Sequence, residues 1–499
     1  MKRNALHAIS LVAVLTLITK GLGMVRDILQ ARAFGATAEV DLFTAVNNGT
    51  IYLFTTAAYA LCLAAVPIFA GKLAKNREDA VNSANNIITI TTLMSFVVTV
   101  LMLVAANLGL LGSGVGESGY SFGWYASVMS ITLPVIVVTY LLMALFQAMG
   151  HYSLQGSLSL LYNIVLCGML LFAGSSMSVP GFTVAVSAAW ILQFAMTLPH
   201  VFREKYRYRF RLDFKAPELK TYFLTAVVTA FTTSAFLLCY LLDTRQSATL
   251  GAGVTSAFYY ADKLFTPITT TLIYSVGAVM FPKWSEKYAQ MQDGEYRAYV
   301  GKAVENTYVL MLPLSAICSV FGVPIVRVLF EGGSFDISAS NLTGSIFACY
   351  TLGMVGFALL DLMAKAYYAM GKTRVPLIVN LAVIAANFVC NALILRLAPN
   401  TALVAAGTTV VMTLGGAALI AVFFRRSFRV VFSVRRIVRC TLASAVIYAV
   451  LSVVSGVLVA ADDSKLMLVV KCGALGVAAF GIYVLLMGHD LIIKKGNRT

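Results

Sequence analysis

Ionisable side chains occur here where the sequence is otherwise most apolar. Lys20, Arg26 and Asp27 fall inside the first long hydrophobic segment, beside Gly21 and Gly23. An ionisable group at the centre of a membrane helix costs at least ~2.5–3.5 kcal/mol, so such groups persist where they face one another or a water-filled cavity. The glycines let a helix bend or open beside them. The stretch reads as the floor of an anion-binding cavity, with Gly21 and Gly23 as gate positions. Lysine and arginine there bind phosphate oxygens, arginine as a bidentate fork. Lys263, next to Asp262, lies in the equivalent region of the second half of the chain. Lys20, Arg26 and Lys263 are expected to converge on one cavity; the competing reading is that these charges only neutralise one another between helices.

Other polar groups in apolar segments admit two readings each. Asp41 opens the second segment and either caps that helix or acts as a gate contact. Asn380, Asn387 and Asn391 are spaced to share one helix face. With Asp243, Thr408 and Thr409 they supply carboxylate, amide and hydroxyl oxygens that can hold a sodium ion, or they are interhelical hydrogen bonds. Asp361 and Lys365, four apart, can pair on one helix. Arg32 and Arg327 can reach an interface by snorkelling, and Lys471 is a further in-span cation. The four histidines, His7, His151, His200 and His489, lie near segment ends and far apart in sequence. No H-E-x-x-H, Walker A or G-x-S-x-G motif is present. The chain is therefore not expected to be an enzyme, and no cofactor or metal is expected beyond a coupling ion.

The elements that must position these residues are membrane helices. The 499 residues are 60% hydrophobic and 12% charged, against about 25% charged in soluble proteins, and mean hydropathy is +0.85. Apolar runs of about 20 residues recur from end to end, and their continuity argues against a β-barrel. Fourteen spans are expected, at 8–34, 41–71, 84–111, 122–149, 155–174, 180–202, 219–243, 252–282, 303–326, 341–370, 376–396, 402–424, 437–460 and 466–488. The first is too long for a signal-peptide core and is read as a retained helix.

With both termini cytoplasmic, the Lys and Arg of the loops fall almost wholly inside; Arg245, Arg396 and Lys465 are the exceptions. This positive-inside bias accounts for the net charge of +16 without nucleic acid, including the Arg203–Arg209 run of basic and aromatic residues. The eight cysteines are scattered and form no C-x-x-C pair, consistent with apolar packing.

The chain also repeats. Ala144–Gly150 matches Lys365–Gly371, and Ala65–Phe69 matches Ala278–Pro282. Each pair lies six spans apart, so the halves would be parallel repeats about an axis along the membrane normal, with a substrate site at their interface. The organisation expected is an N-lobe at 1–216, a C-lobe at 217–432 and an appended helix pair at 433–499.

Several of these stretches resemble the MurJ (MviN) lipid II flippases. They are Gly21–Asp27, Ala33–Ala36 with Asp41, Tyr259–Leu264, Leu329–Phe335 and Ala366–Thr373. The matches are ordered and cover most of the chain. The resemblance implies a MATE-like fold of two six-helix lobes plus two C-terminal helices forming a groove for a lipid tail. The implied cargo is lipid II, an undecaprenyl-pyrophosphate-linked peptidoglycan precursor, moved across the bacterial plasma membrane. The implied substrate residues are Lys20, Arg26, Asp27 and Lys263, with Asp41 at the outer gate. A cation site is implied near Asp243, Asn387, Asn391 and Thr408. Lys20 and Lys263 stand where arginine is usual, which keeps charge but loses the fork. Phe54–Thr55 and Tyr59–Cys62 replace a charged family motif. The function expected is a lipid II flippase working by alternating access, driven by sodium or membrane potential, acting as a monomer with lipids as its other partners. The alternatives are a flippase for another lipid-linked oligosaccharide, a cation-coupled MATE-type exporter, and a membrane glycosyltransferase, which the short outer loops disfavour.

Overall fold

The computed structural model describes residues 2–112, 114–270, 293–425, 432–460 and 463–488. The part of span 252–282 beyond 270, the repeat stretch Ala278–Pro282 and His489 lie outside the described residues. All regular structure among the described residues is helical apart from two isolated bridges, Val115 to Ser121 and Gly332 to Phe335. This follows from the solvent, because a backbone in lipid must satisfy its hydrogen bonds within itself. Ten described helices are long and apolar enough to cross a membrane, and twelve if two bent pairs each count as one span. The fold is that of an all-helical, multi-pass membrane protein.

The first unit comprises residues 1–234 and the short turn Gly332–Phe335. Its helices are α1 (Lys2–Phe34), α2 (Ala38–Asn47), α3 (Leu53–Leu73), α4 (Arg77–Asn107), α5 (Phe122–Ser130) and α6 (Leu133–Ala148). Then follow α7 (Ser153–Ser157), α8 (Leu160–Ala173), α9 (Val179–Gln193), α10 (Leu198–Arg203) and α11 (Glu218–Thr233). Between α2 and α3 the helix widens into a π-turn at Asn48–Tyr52. Its core centres on α6, where thirteen of sixteen residues are buried. By contrast α4 exposes Phe96, Val97, Val100 and Leu101, as a lipid-facing helix should.

The Gly332–Phe335 turn is fixed to the end of α1. The Ser334 N–H donates to the Arg32 carbonyl at 2.9 Å and its hydroxyl to the Ala33 carbonyl at 3.1 Å. The two backbones meet where Gly35 and Gly333 hold positive φ, +69° and +60°. A Cβ at either would run into the opposite main chain, at Ser334 or Arg32.

The second unit comprises Ala235–Glu331 and Asp336–Thr499. It holds α12 (Ala235–Ser247), α13 (254–270), α14 (Asp293–Val320), α15 (Gly322–Leu329), α16 (Ile337–Leu352) and α17 (Met354–Ala369). These are followed by α18 (Arg374–Leu397), α19 (Thr401–Phe423), α20 (Val434–Leu458) and α21 (Lys465–Met487). Span 341–370 is not one straight helix: α16 and α17 meet at Gly353 with a 47° bend. Span 122–149 is likewise divided into α5 and α6, six spans earlier. Gly353, Gly356 and Gly416 allow α17 to lie against α19; a Cβ at Gly356 would meet the Thr413 backbone.

Candidate functional site

The α1 site is built in the first unit. The helix α1 runs unbroken through Gly21 and Gly23. A Cβ at Gly21 would meet nothing within 4 Å. Lys20 is half-buried and Asp27 buried. Arg26 is only 13% exposed at its side chain and is ion-paired with its neighbour. Its Nε and Nη2 both donate to Asp27 Oδ1, at 3.2 and 2.6 Å. On α8, Asn163 Oδ1 accepts from Arg26 Nη1 at 3.0 Å, and the Tyr162 ring lies 5.3 Å from the guanidinium carbon. The guanidinium is thus bounded along one edge, at one tip and across one face. Neutralisation by Asp27 and retention for ligand binding are compatible, because a phosphate can replace the carboxylate on the same donors.

Asn163 was not legible as a site residue. The one signal in its segment is that it is the lone amide in the apolar run Leu160–Ala173. Glu39 was also missed. It is buried and accepts from the Tyr125 hydroxyl at 2.8 Å and from Ser118, tying the 114–121 loop to α2. Nor does Asp41 cap α2, because Thr37 does so by accepting from the Val40 N–H. Asp41 lies in the first helical turn, where a carboxylate favours the positive end of the dipole.

In the second unit Lys263 is 3.9 Å from Asp262 and its ammonium lies 4.8 Å from the Tyr259 ring centroid. Asp262 also accepts from Thr266 at 2.6 Å. Three of the other in-span cations are paired locally: Lys365 with Asp361 at 2.5 Å, Arg327 with Glu331 at 2.8 Å, and Lys471 with Asp463 at 2.7 Å, while Arg32 is exposed at the end of α1. Arg327 is thus held in an ion pair and 8% exposed.

Asp243, Asn387, Asn391 and Thr408 come together around one fully buried carboxylate. Asp243 Oδ1 accepts from Asn391 Nδ2 at 2.7 Å and Asn387 Nδ2 at 3.3 Å, and the Thr408 hydroxyl lies 2.8 and 2.6 Å from its two oxygens. The Tyr350 hydroxyl completes the shell at Oδ2, 2.7 Å away. Tyr350 was missed, since nothing in the sequence separates it from 22 other tyrosines. Thr409 points elsewhere, to the Cys349 carbonyl, and Asn380 is buried on the same helix face. Beside Tyr350 and Thr408 is a cavity of about 10 Å³, the size of one water.

His151 and His200, distant in sequence, meet edge-to-face with ring centroids 5.2 Å apart. His151 Nε2 is 2.7 Å from Glu204, which also bonds Arg77. Among the described residues no cluster of His, Cys, Asp and Glu could hold a metal ion, and all eight cysteines are free thiols.

The comparisons with known proteins agree with this architecture. A family model described as "Lipid II flippase MurJ" matches residues 30–471. The Burkholderia cenocepacia protein called lipid II flippase MurJ is 25% identical over 396 residues, 76% of each chain. A probable lipid II flippase MurJ of Thermotoga maritima is 24% identical over 388 residues, 74% of this chain and 76% of that one. A solved lipid II flippase MurJ in an inward closed conformation aligns over 97% of this chain and 99% of its own, with TM-score 0.80 at 18% identity. An inward-facing multidrug resistance MATE transporter aligns over 84% of this chain and 98% of its own, with TM-score 0.65 at 12% identity. With a family model covering most of its length and a matching helical architecture, the chain belongs to the MurJ family and is a membrane transporter of MATE-like fold rather than an enzyme.

Proposed function

We propose that this protein moves lipid II from the inner to the outer leaflet of the bacterial plasma membrane by alternating access, with both termini cytoplasmic. The observation that carries the reading is the largely buried Arg26–Asp27 pair in an apolar helix of a MurJ-family chain. The diphosphate takes the place of Asp27 on the Arg26 fork, with Lys20 adding charge from one lobe and Lys263 from the other. Asp41, Gly21 and Gly23 serve the gate. The proposed lobes are 1–216 and 217–432, a division by repeat, whereas α11 packs within the first compact unit.

The appended pair at 433–499 carries the lipid tail. Supporting this, α20 and α21 bound a groove of about 610 Å³ lined by Val438, Leu442, Val446 and Leu486, with Arg435 and Arg439 in its wall. The transporter acts as a monomer. A sodium ion at Asp243, Asn387, Asn391 and Thr408 couples the cycle. A single carboxylate among neutral oxygens suits a monovalent ion, and the Asn391 Oδ1 has no hydrogen-bond partner among the described residues. The membrane potential, about 2.3 kcal/mol per charge per 100 mV, adds to the return of the empty carrier.

The test is reconstitution in vesicles with lipid II labelled on its peptide, reading exposure to an impermeant quencher. Wild type should expose the label and R26A should not. Equal exposure with R26A refutes the diphosphate role. Movement of a polyprenyl diphosphate bearing another sugar, but not of lipid II, assigns the chain to a different lipid-linked oligosaccharide.

A further inference from the structure

We infer that Asn163 is a positioning residue for Arg26, coupling the orientation of the guanidinium to the backbone of α1. The inference rests on the reading above, in which Arg26 grips the diphosphate. Both ends of one amide are engaged. Oδ1 accepts from Arg26 Nη1 at 3.0 Å, and Nδ2 donates to the Thr19 carbonyl at 3.1 Å. Chemistry alone fixes which way the amide faces, since a guanidinium only donates and a carbonyl only accepts. Asparagine is the residue of its size that satisfies both. Aspartate would place a second anion on Arg26 and repel the Thr19 oxygen. A leucine would leave that carbonyl and one guanidinium tip without these contacts.

The seam around it is built for this contact. Gly23, one turn beyond Thr19, lets the amide lie on α1; a Cβ there would stand 3.6 Å from Nδ2 and 3.8 Å from Oδ1. One turn along α8, Cys167 Sγ contacts the Leu22 carbonyl at 3.6 Å, and the Thr19 hydroxyl donates to the Gly156 carbonyl at 3.0 Å. The end of α7 and the face of α8 thus follow α1 from Thr19 to Arg26. Arginine has four side-chain torsions, and an unrestrained fork loses much of its binding advantage in being ordered. Asn163, with the Tyr162 face, removes that freedom before the ligand arrives.

The experiment measures binding of undecaprenyl diphosphate to the full-length protein in nanodiscs, for wild type, N163A, N163Q, N163D, C167A, R26A and N163A/R26A. N163A should weaken binding about tenfold, the scale of one charge-assisted hydrogen bond. N163D should weaken it further, and C167A, which alters the same seam away from the guanidinium, should not. A structural role alone would lower melting temperature without this pattern. In the R26A background N163A should change affinity less than twofold, because its effect passes through Arg26. Undiminished binding in N163A while R26A binds poorly overturns the role of Asn163 and leaves the diphosphate reading standing. Undiminished binding in R26A overturns the diphosphate reading itself. If N163A does not fold, N163Q carries the same comparison, since its extra methylene displaces the amide from both partners; wild-type affinity in N163Q overturns the inference.

Discussion

Replacing Asp243 with asparagine separates what holds the second unit together from the sodium binding proposed for this site. The substitution is isosteric at a fully buried position. An amide oxygen can take over Oδ1 and keep Asn387, Asn391 and Thr408. The amide nitrogen cannot accept, so the Tyr350 hydroxyl loses its acceptor at Oδ2, while Thr408 retains the other oxygen. The net loss is one hydrogen bond to a charged group, about 1.5–3 kcal/mol, offset in part because the desolvated charge disappears. D243N should therefore fold with a modestly lower melting temperature. D243A, which leaves four buried neutral donors without their acceptor, should cost more, about 1–3 kcal/mol for each donor that finds no new partner. Ion binding adds a separate signature. A ligand at a hundred times its dissociation constant stabilises by about 2.7 kcal/mol, so wild type in detergent should melt higher in sodium than in potassium at equal ionic strength. That increment should vanish in D243N. An equal sodium increment in D243N, or none in wild type at molar sodium, refutes the ion site.

Three further perturbations probe α1, its contact with the Gly332–Phe335 turn, and the Glu204 cluster. G35A and G333A each put a Cβ into opposing backbone at positive φ, and each should cost at least ~2 kcal/mol. G21A meets open space and should raise the melting temperature slightly, while slowing transport if α1 must bend there; full transport in G21A removes Gly21 from the gate. At Glu204 the hydrogen bond from His151, aided by Arg77, holds the carboxyl below its usual value. A depressed carboxylate contributes stability above its unfolded value of about 4.5 that is lost as pH falls through the folded one. E204Q should flatten that acid-side decline, and a melting profile below pH 4.5 identical to wild type counts against the His151–Glu204 contact.

What could be read from the chain and what could not divides along a physical line. A charge in an apolar run announces itself one residue at a time, because its cost does not depend on knowing the fold; Lys20, Arg26, Asp27 and Lys263 were visible for that reason. So were the buried asparagines of α18, since helical period alone puts Asn380, Asn387 and Asn391 on one face. Partners chosen by tertiary packing left no such mark. Tyr350 serves Asp243 from a helix 107 residues away, and Asn163 serves Arg26 from 137 residues away. Helix breaks behaved similarly. The sequence pointed to Gly21 and Gly23, yet α1 is continuous there, while α16 and α17 part at Gly353, where the glycine lets the backbone approach Thr409 on α19. A glycine in a membrane helix thus marks either a bend or a close approach, and only the neighbour decides which. The same reasoning bears on Arg26. Its adjacent carboxylate offsets the cost of burying the charge, and under the proposed function a diphosphate would recruit this pre-paired arginine by exchange. If that is how it works, D27N should tighten diphosphate binding while slowing release, and a D27N that binds more weakly than wild type would show that Asp27 holds Arg26 in place rather than competing for it.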